Sequence, residues 1–522
     1  MNVLFCTQSE SLELCHALRT ALTPTLPIDR AGFTVADSFA FEKWSRENPG
    51  FADDRTIVLK EWEVTAIRSR KPDLARLARY EQNLGAPAGL FGAIVADRRL
   101  LMGKDCTYSQ DYRRRFSDDE LLCILQTGIE ELERVFDELK PSLLVGFLCV
   151  TMLEYLAYLI ARARGVKVLN LRPTRLADRV TFSSILNDPD PAVVASYDRI
   201  RNGGAADFEK PRQVIKRIRE EHGRYEGVIG ASDKPSLAVS TRGSISQTAV
   251  RVVSNYRRYL SGPARSDNHV PDPLRALAFA ALVNPVRARQ TLRYLADRFL
   301  SEAELPRTRY AFFPLHTEPE VSLLVYARPF MNQIEVIRAL AFSLPADMIL
   351  VVKEHPGMVG KRTRSAYEKM LNIPRVRLVR PGLSARVLIE HAALVTVITG
   401  SVALEAAMLE KPVLTFGECP YNLLPDTMVR RAADLRHLPE TIADLLRTYR
   451  FDMPALEAYV AAVFATSASV NLYSVLLRKG GVHADRASSY DEEIGRLADY
   501  LKKCVTDVPP QPGRSVIKGA RW

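Results

Sequence analysis

Short apolar runs alternate with amphipathic stretches over most of the chain. NVLFC, TIVLK, SLLVGF and VKVLNL read as buried strands, and DDELLCILQTGIEELERVFDELK between them repeats its apolar positions at helical spacing. Strands that alternate with helices predict a parallel sheet covered on both faces, so residues 1–200 read as an α/β domain. From Arg309 the rhythm returns: RYAFFPL, MILVVKEHP, RVRLVRP, LVTVITG and PVLTFG as strands, with NQIEVIRALAFSLP, SARVLIEHA and SVALEAAMLE as helices. Residues 306–460 therefore form a second α/β domain. Between the two, residues 201–305 lose their strand-like runs and read as a helical insert or linker, and residues 461–522 read as C-terminal helices with a polar, basic tail from Thr506. Two such domains place a ligand between them, at the carboxyl ends of the strands.

One stretch competes with this reading. Ser142 to Ala161 is twenty residues with a single charge, Glu154, which is long enough to cross a bilayer. However, the run begins as a strand after Pro141, changes texture around Gly146 to Thr151, and continues as a helix towards another strand. A buried parallel strand and its covered crossover helix give the same hydropathy, so the segment is expected to be a βαβ unit.

Composition narrows the class. With 522 residues, 47% hydrophobic and 25% charged, the chain has the balance of a folded multi-domain protein. The net charge of +11 favours an anionic partner, and its distribution says more. Residues 201–300 hold eighteen Lys and Arg against nine Asp and Glu, so nine of the eleven charges lie in the middle segment. That segment reads as a solvated helical face or as a surface for an anionic acceptor or the inner membrane. It lacks the aromatic interleaving of a nucleic-acid surface, and no nucleic-acid partner is expected. The seven cysteines (6, 15, 106, 123, 149, 419 and 504) show neither CxxC pairing nor zinc spacing, which fits a reducing cytosol and no metal site. MNVLFCTQSE reads as a strand and loop rather than a leader, so a cytoplasmic protein is expected, with the basic segment offering a peripheral contact to the inner membrane.

Candidate chemistry concentrates in the second domain. A strand runs into Thr399, Gly400 and Ser401 and a helix starts at once. Backbone N–H groups, two hydroxyls and a glycine there can seat an anion, and the same residues equally suit a simple N-cap. Glu405 lies one turn further on, within reach of a ribose hydroxyl. In MILVVKEHPGM a strand ends at Lys353, Glu354, His355 and Pro356, which places His355 at the cleft edge as a phosphate ligand or proton donor; a polar turn with a capping histidine fits as well. His316, Thr317, Glu318 and Glu320 follow the domain's first strand and line the same edge. Lys361, Arg362 and Arg380 read as ordinary surface cations, with added charge in the pocket as the alternative, and Gly417 to Tyr421 as a cleft wall.

KEHPG, TGSVALEAAMLEKPVLTFG, the nearby Tyr421 and HTEPE upstream together resemble the capsule polysaccharide biosynthesis family, which includes 3-deoxy-manno-octulosonic acid (Kdo) transferases. The His-Pro and Ser/Thr motifs are also similar to those of bacterial sialyltransferases. The resemblance covers about residues 310–430, and the first 200 residues share only the architecture. It implies a GT-B glycosyltransferase that moves Kdo or a related acidic sugar from a cytidine monophosphate (CMP) sugar donor to a surface polysaccharide or lipid-linked glycan acceptor. No other cofactor is implied. Carried over, His355 helps CMP to leave and Ser401, with Thr399 and Gly400 beside it, binds its phosphate; Lys353, Pro356, Glu405 and Glu318 are further candidates to line the nucleotide site, and no metal is expected because no DxD pair ends a strand in the second domain. The resemblance also implies acidic residues from the first half, for which Glu154 and Asp178 are the candidates; Arg172, Arg175 and Arg179 can pair with them or hold the sugar carboxylate. Two other readings share the architecture: a UDP-sugar transferase or 2-epimerase, and a non-catalytic capsule assembly or export partner.

Overall fold

The structure is a computed structural model that describes residues 1–507 except 9–10, 52, 86–88, 103–114, 221–253, 255, 261, 433 and 478–487. Cys106, most of the basic tail and the centre of the basic segment thus lie outside the described residues.

Two sheets organise the chain, as the alternating pattern predicts. The first contains β1 (Asn2–Cys6), β2 (Arg30–Val35), β3 (Thr56–Lys60), β4 (Leu143–Gly146), β5 (Lys167–Pro173) and β6 (Arg179–Ser183); the second contains β7 (Tyr310–Pro314), β8 (Ile349–Lys353), β9 (Val376–Val379), β10 (Leu394–Val397), β11 (Val413–Thr415) and β12 (Val429–Arg431). A last short strand, β13 (Ala468–Ser469), returns to the first sheet. The orders are β13-β6-β5-β4-β1-β2-β3 and β12-β11-β10-β7-β8-β9. All pairings are parallel except those of β5 with β6 and β6 with β13. β1, β7, β8 and β10 are buried along nearly their whole length, which explains their continuous apolar sequences.

The Ser142–Ala161 stretch divides into β4 and a helix over Met152–Ala163. The break occurs because Thr151 and Glu154 form a capping box: each side chain satisfies a backbone N–H that the first helical turn leaves open. No described helix is long and apolar enough to cross a membrane.

The boundaries drawn from sequence shift. The helix Pro191–Arg201, expected to close the first domain at residue 200, shares a core with the second: Val193, Tyr197 and Ile200 pack with Leu456, Tyr459 and Val463. Ile215, from the helix Glu209–Glu220, joins the same core. At the other end, the helix Tyr490–Asp507 packs through Ile494, Leu497 and Leu501 on the first domain's core. The middle segment is not a separate insert. Arg258 pairs with Glu42 at 2.6 Å on the first domain, and Leu295 joins the core of the second.

Between those anchors, a continuous helical run over residues 273–295 exposes its first half. Its first eleven residues bury none of their side chains, and Leu274, Leu282 and Val286 are 45%, 66% and 50% exposed. Exposed aliphatics grouped along one helical run make it a candidate contact surface.

Candidate functional site

The carboxyl edge of the second sheet brings together residues from three strand ends. After β7, the His316 backbone N–H donates to Gln333 Oε1 at 2.7 Å, and Gln333 Nε2 donates back to the His316 carbonyl at 3.2 Å. This clasp turns the ring towards β10, where His316 Nε2 accepts the Thr399 N–H at 3.3 Å. The ring proton then sits on Nδ1, which faces Glu320 Oε2 at 3.6 Å.

After β8, the sequence KEHPG separates two adjacent side chains. Glu354 turns inward and His355 outward. Glu354 is buried, accepts Arg362 Nε at 2.7 Å and the Tyr367 hydroxyl at 2.8 Å, and also holds the His355 N–H at 2.8 Å. Arg362 Nη1 lies 3.1 Å from Glu318 Oε2, and Arg362 Nη2 donates to the His316 carbonyl at 3.3 Å. Gln333 Nε2 also donates to Glu318. The expectation that Arg362 is a surface cation fails: it is fully buried, because two carboxylates from neighbouring strand ends need one cation between them. Glu318 and Glu354 thereby serve the framework under the site rather than its open face.

His355 caps the short 3₁₀ turn Pro356–Met358, with Nδ1 accepting the Gly357 N–H at 3.2 Å. Capping and phosphate binding are therefore compatible. With Nδ1 committed as acceptor, the neutral ring carries its proton on Nε2, free to donate outward. Burial lowers the His355 pKa, and the charges of Lys353 and His316 add to this against Glu354 and Glu320.

After β10, Thr399 is buried and its hydroxyl has no hydrogen-bond partner among the described residues. Gly417 packs so tightly against it that a Cβ would lie 2.5 Å from Thr399 Cγ2. The Tyr421 hydroxyl donates to the Gly400 carbonyl at 2.6 Å, which makes the Gly417–Tyr421 loop the wall behind the seat. A Cβ at Gly400 would meet His316 at an ordinary 3.7 Å, so packing alone does not demand glycine. The simple N-cap does not form: the Ser401 side chain makes no capping hydrogen bond to the seven-residue helix Val402–Met408. Glu405 is half-buried on that helix, and Lys353 and Pro356 flank His355 on either side.

From the first domain, Arg175 Nη1 donates to the Thr399 carbonyl at 2.5 Å. Arg175 and Ala177 both take positive φ, 64° and 50°, in the β5–β6 loop. Asp178, three residues on, instead lies beside β13, where its carbonyl accepts the Val470 N–H at 2.9 Å. The sequence places His316 on the cleft edge through HTEPE and offers Arg175 as a partner for the acids or the sugar carboxylate, but nothing local signals that both hold the Thr399 backbone.

Glu154 belongs to a separate cluster in the first domain. It is buried, accepts the N–H groups of Val150 and Thr151 at 2.7 and 3.1 Å, and accepts Gln8 Nε2 at 3.2 Å on both oxygens. Among the described residues, no hydrogen bond or ion pair joins it to His355 or Thr399. Burial pushes its pKa from 4.5 to about 7 against those hydrogen bonds, which favour the anion. Between these values the native state binds more protons than the unfolded chain. Stability from this group is therefore full below about 4.5 and declines as pH rises through 7. Glu154→Gln keeps a residue that can complete the capping box and removes the titration. The variant is expected to match the wild type near pH 4.5 and to exceed it at pH 8 by up to about 3 kcal/mol in urea unfolding. A pH-independent difference would contradict this reading.

The model of one family, described as capsule polysaccharide biosynthesis protein, matches residues 294–460. No curated protein matches the chain. Among solved structures, a KpsC beta Kdo 2,4 transferase from Thermosulfurimonas dismutans is 14% identical at a TM-score of 0.36, with 70% of this chain and 94% of that one covered. The beta Kdo 2,7 transferase of the same KpsC is 13% identical at 0.30, with coverages of 72% and 90%. A UDP-GlcNAc 2-epimerase from Neisseria meningitidis is 12% identical at 0.27, with coverages of 97% and 100%. The matched residues hold β7 to β12 and the whole His316, His355 and Thr399 constellation. Residues 294–460, which carry this constellation, are thus the part of the chain that is similar to the capsule polysaccharide biosynthesis protein family.

Proposed function

We propose that this protein is a glycosyltransferase of capsule polysaccharide assembly that moves an acidic sugar of the Kdo kind from its CMP donor to a polysaccharide or lipid-linked glycan. The observation that carries the reading is the buried, unpartnered Thr399 hydroxyl at the edge where His316 and His355 converge. A buried hydroxyl without a partner costs about 1–3 kcal/mol, and a phosphate oxygen supplies the missing bond. In this reading Thr399 and Ser401 hold the donor phosphate, and Lys353, Pro356 and Glu405 line the nucleotide. His355 Nε2–H donates to the phosphate as CMP departs, when negative charge on it grows. Glu154 and Asp178 are the acids offered from the first domain, with Glu154, poised near pH 7, suited to proton transfer. The phosphate seat needs no metal, since Arg362 already engages Glu318 and Glu354, while Glu320 faces His316 and accepts from Thr317. Calorimetry of the full chain is expected to show CMP binding with an affinity unchanged by EDTA, and UDP binding at least tenfold more weakly. UDP in place of CMP would instead support the sugar-nucleotide epimerase or UDP-sugar transferase reading.

The exposed helical run at 273–286, with Arg275, Arg287 and Arg289 nearby, suits an anionic membrane surface where a lipid-linked acceptor resides. The chain is expected to sediment with vesicles containing anionic lipid, less so at high salt, and a Leu274→Glu/Leu282→Glu variant is expected to remain in solution. Equal sedimentation of both proteins would remove this surface from consideration.

A further inference from the structure

A second constellation lies in the first domain, apart from the phosphate seat. Glu61 follows β3 directly and is 5% exposed, and Asp97 is fully buried. Asp97 Oδ1 accepts the Arg99 and Leu100 N–H groups at 2.9 and 3.3 Å, and its Oδ2 accepts the Met152 N–H at 3.3 Å. His269 comes from the middle segment, where Asp267 accepts its N–H at 2.7 Å and the Ser38 N–H at 2.6 Å. One donor atom from each of Glu61, Asp97 and His269 lies within 4.8 Å of the other two.

The constellation is poorly satisfied as it stands. His269 Nε2 is buried and has no hydrogen-bond partner among the described residues. Burial drives the Glu61 pKa well upward, and the nearby Asp97 and Glu154 charges reinforce this against Arg99. Two buried carboxyls can coexist here by sharing a proton. Burial, with Arg99 and Arg98, drives His269 well downward, which leaves a neutral imidazole at pH 7. A neutral, half-buried imidazole and two buried carboxylates from three distant segments form a donor set suited to a borderline divalent cation.

We propose that Glu61, Asp97 and His269 bind one divalent transition-metal ion of the Zn²⁺ or Mn²⁺ class. Metal–ligand bonds of about 2.0–2.2 Å require donor atoms roughly 3.5 Å apart, which small side-chain rotations from the present spread achieve. The dication replaces the proton shared between the carboxyls, which leaves to solvent, takes the unused imidazole nitrogen as ligand, and balances the two carboxylate charges with its own. Its place in the fold is that of a clip. It ties the middle segment at His269 to Glu61 at the end of β3 and to Asp97, and it involves none of the residues of the proposed donor phosphate seat.

The test is metal binding by the full chain after EDTA treatment and exchange into chelator-free buffer, which does not depend on any transferase activity. Titration with Zn²⁺, Mn²⁺ and Co²⁺ is expected to show one ion per chain, a melting temperature raised by several degrees, and visible d–d absorption from bound Co²⁺. Mg²⁺ at the same concentration is expected to do none of these. His269→Ala and Glu61→Gln are each expected to weaken binding at least tenfold, whereas His437→Ala, at an exposed position, leaves it intact. Should His269→Ala fail to fold, Glu61→Gln carries the same expectation, since it preserves volume and removes one anion. Absence of saturable binding, or binding undiminished in Glu61→Gln, overturns the proposal.

Discussion

His355→Ala is expected to lower transfer from a CMP-sugar by about 10²–10⁴-fold, the usual range for removing a group that donates to developing charge. The ring has two separable tasks. Nδ1 caps the Pro356–Met358 turn through the Gly357 N–H, and Nε2–H points out of the turn. Loss of the cap costs about 1 kcal/mol of stability, far less than the activity loss requires. Two amides divide the tasks. Asn places an acceptor near the Nδ1 position and is expected to restore stability without activity. Gln reaches towards the Nε2 position with an N–H donor and is expected to recover part of the rate. Steady-state kinetics with denaturant melts on the three variants measures both. If His355→Ala keeps more than half the wild-type turnover, His355 has no part in donor departure. A capsule phenotype left intact by that same variant would favour the non-catalytic assembly reading.

The second large effect concerns stability. Arg362→Met is expected to destabilise the protein by about 3–5 kcal/mol, the cost of removing one partner from a buried ionic group. Arg362 lies between Glu354 and Glu318 with no exposed surface, so its loss leaves two carboxylates buried without their cation. Met fills similar volume, and the effect therefore reports charge rather than a cavity. The two orphaned carboxyls can be neutralised by protonation, so the loss is expected to be larger at pH 8 than at pH 5. The site should respond as well. Arg362 also holds the His316 carbonyl, and Glu354 holds the His355 N–H, so CMP affinity is expected to fall in the fraction that remains folded. Urea unfolding at the two pH values settles the matter: a loss below about 1 kcal/mol at pH 8 would mean that the group contributes no net stability.

His355 and Arg362 differ in how visible they were beforehand. KEHPG announces a strand end followed by a turn, and a histidine there is legible as a site candidate. The fate of Arg362 is not, because nothing in VGKRTRS distinguishes an arginine that enters the core from one that stays in water. That choice is made by Glu318 and Glu354, which end up on adjacent strand ends although they are 36 positions apart in sequence. Glu154 is an intermediate case. TMLE spells a capping box, while the burial that pushes its carboxyl to about pH 7 comes from the surrounding core.

Local pattern determined the elements, the two α/β halves, and the separation of Ser142–Ala161 into a strand and a helix. Apolar periodicity, caps and turn residues act within a few positions and can be read directly. Tertiary structure decided what depends on contact between distant segments. It moved the helix Pro191–Arg201 into the second domain and brought the helix Tyr490–Asp507 back to the first. It turned His316 onto the Thr399 N–H, sent Arg175 across from the first domain, and gathered Glu61, Asp97 and His269 from positions far too separated to form a motif. Burial and charge proximity set these outcomes, and both are properties of the packed chain rather than of its order.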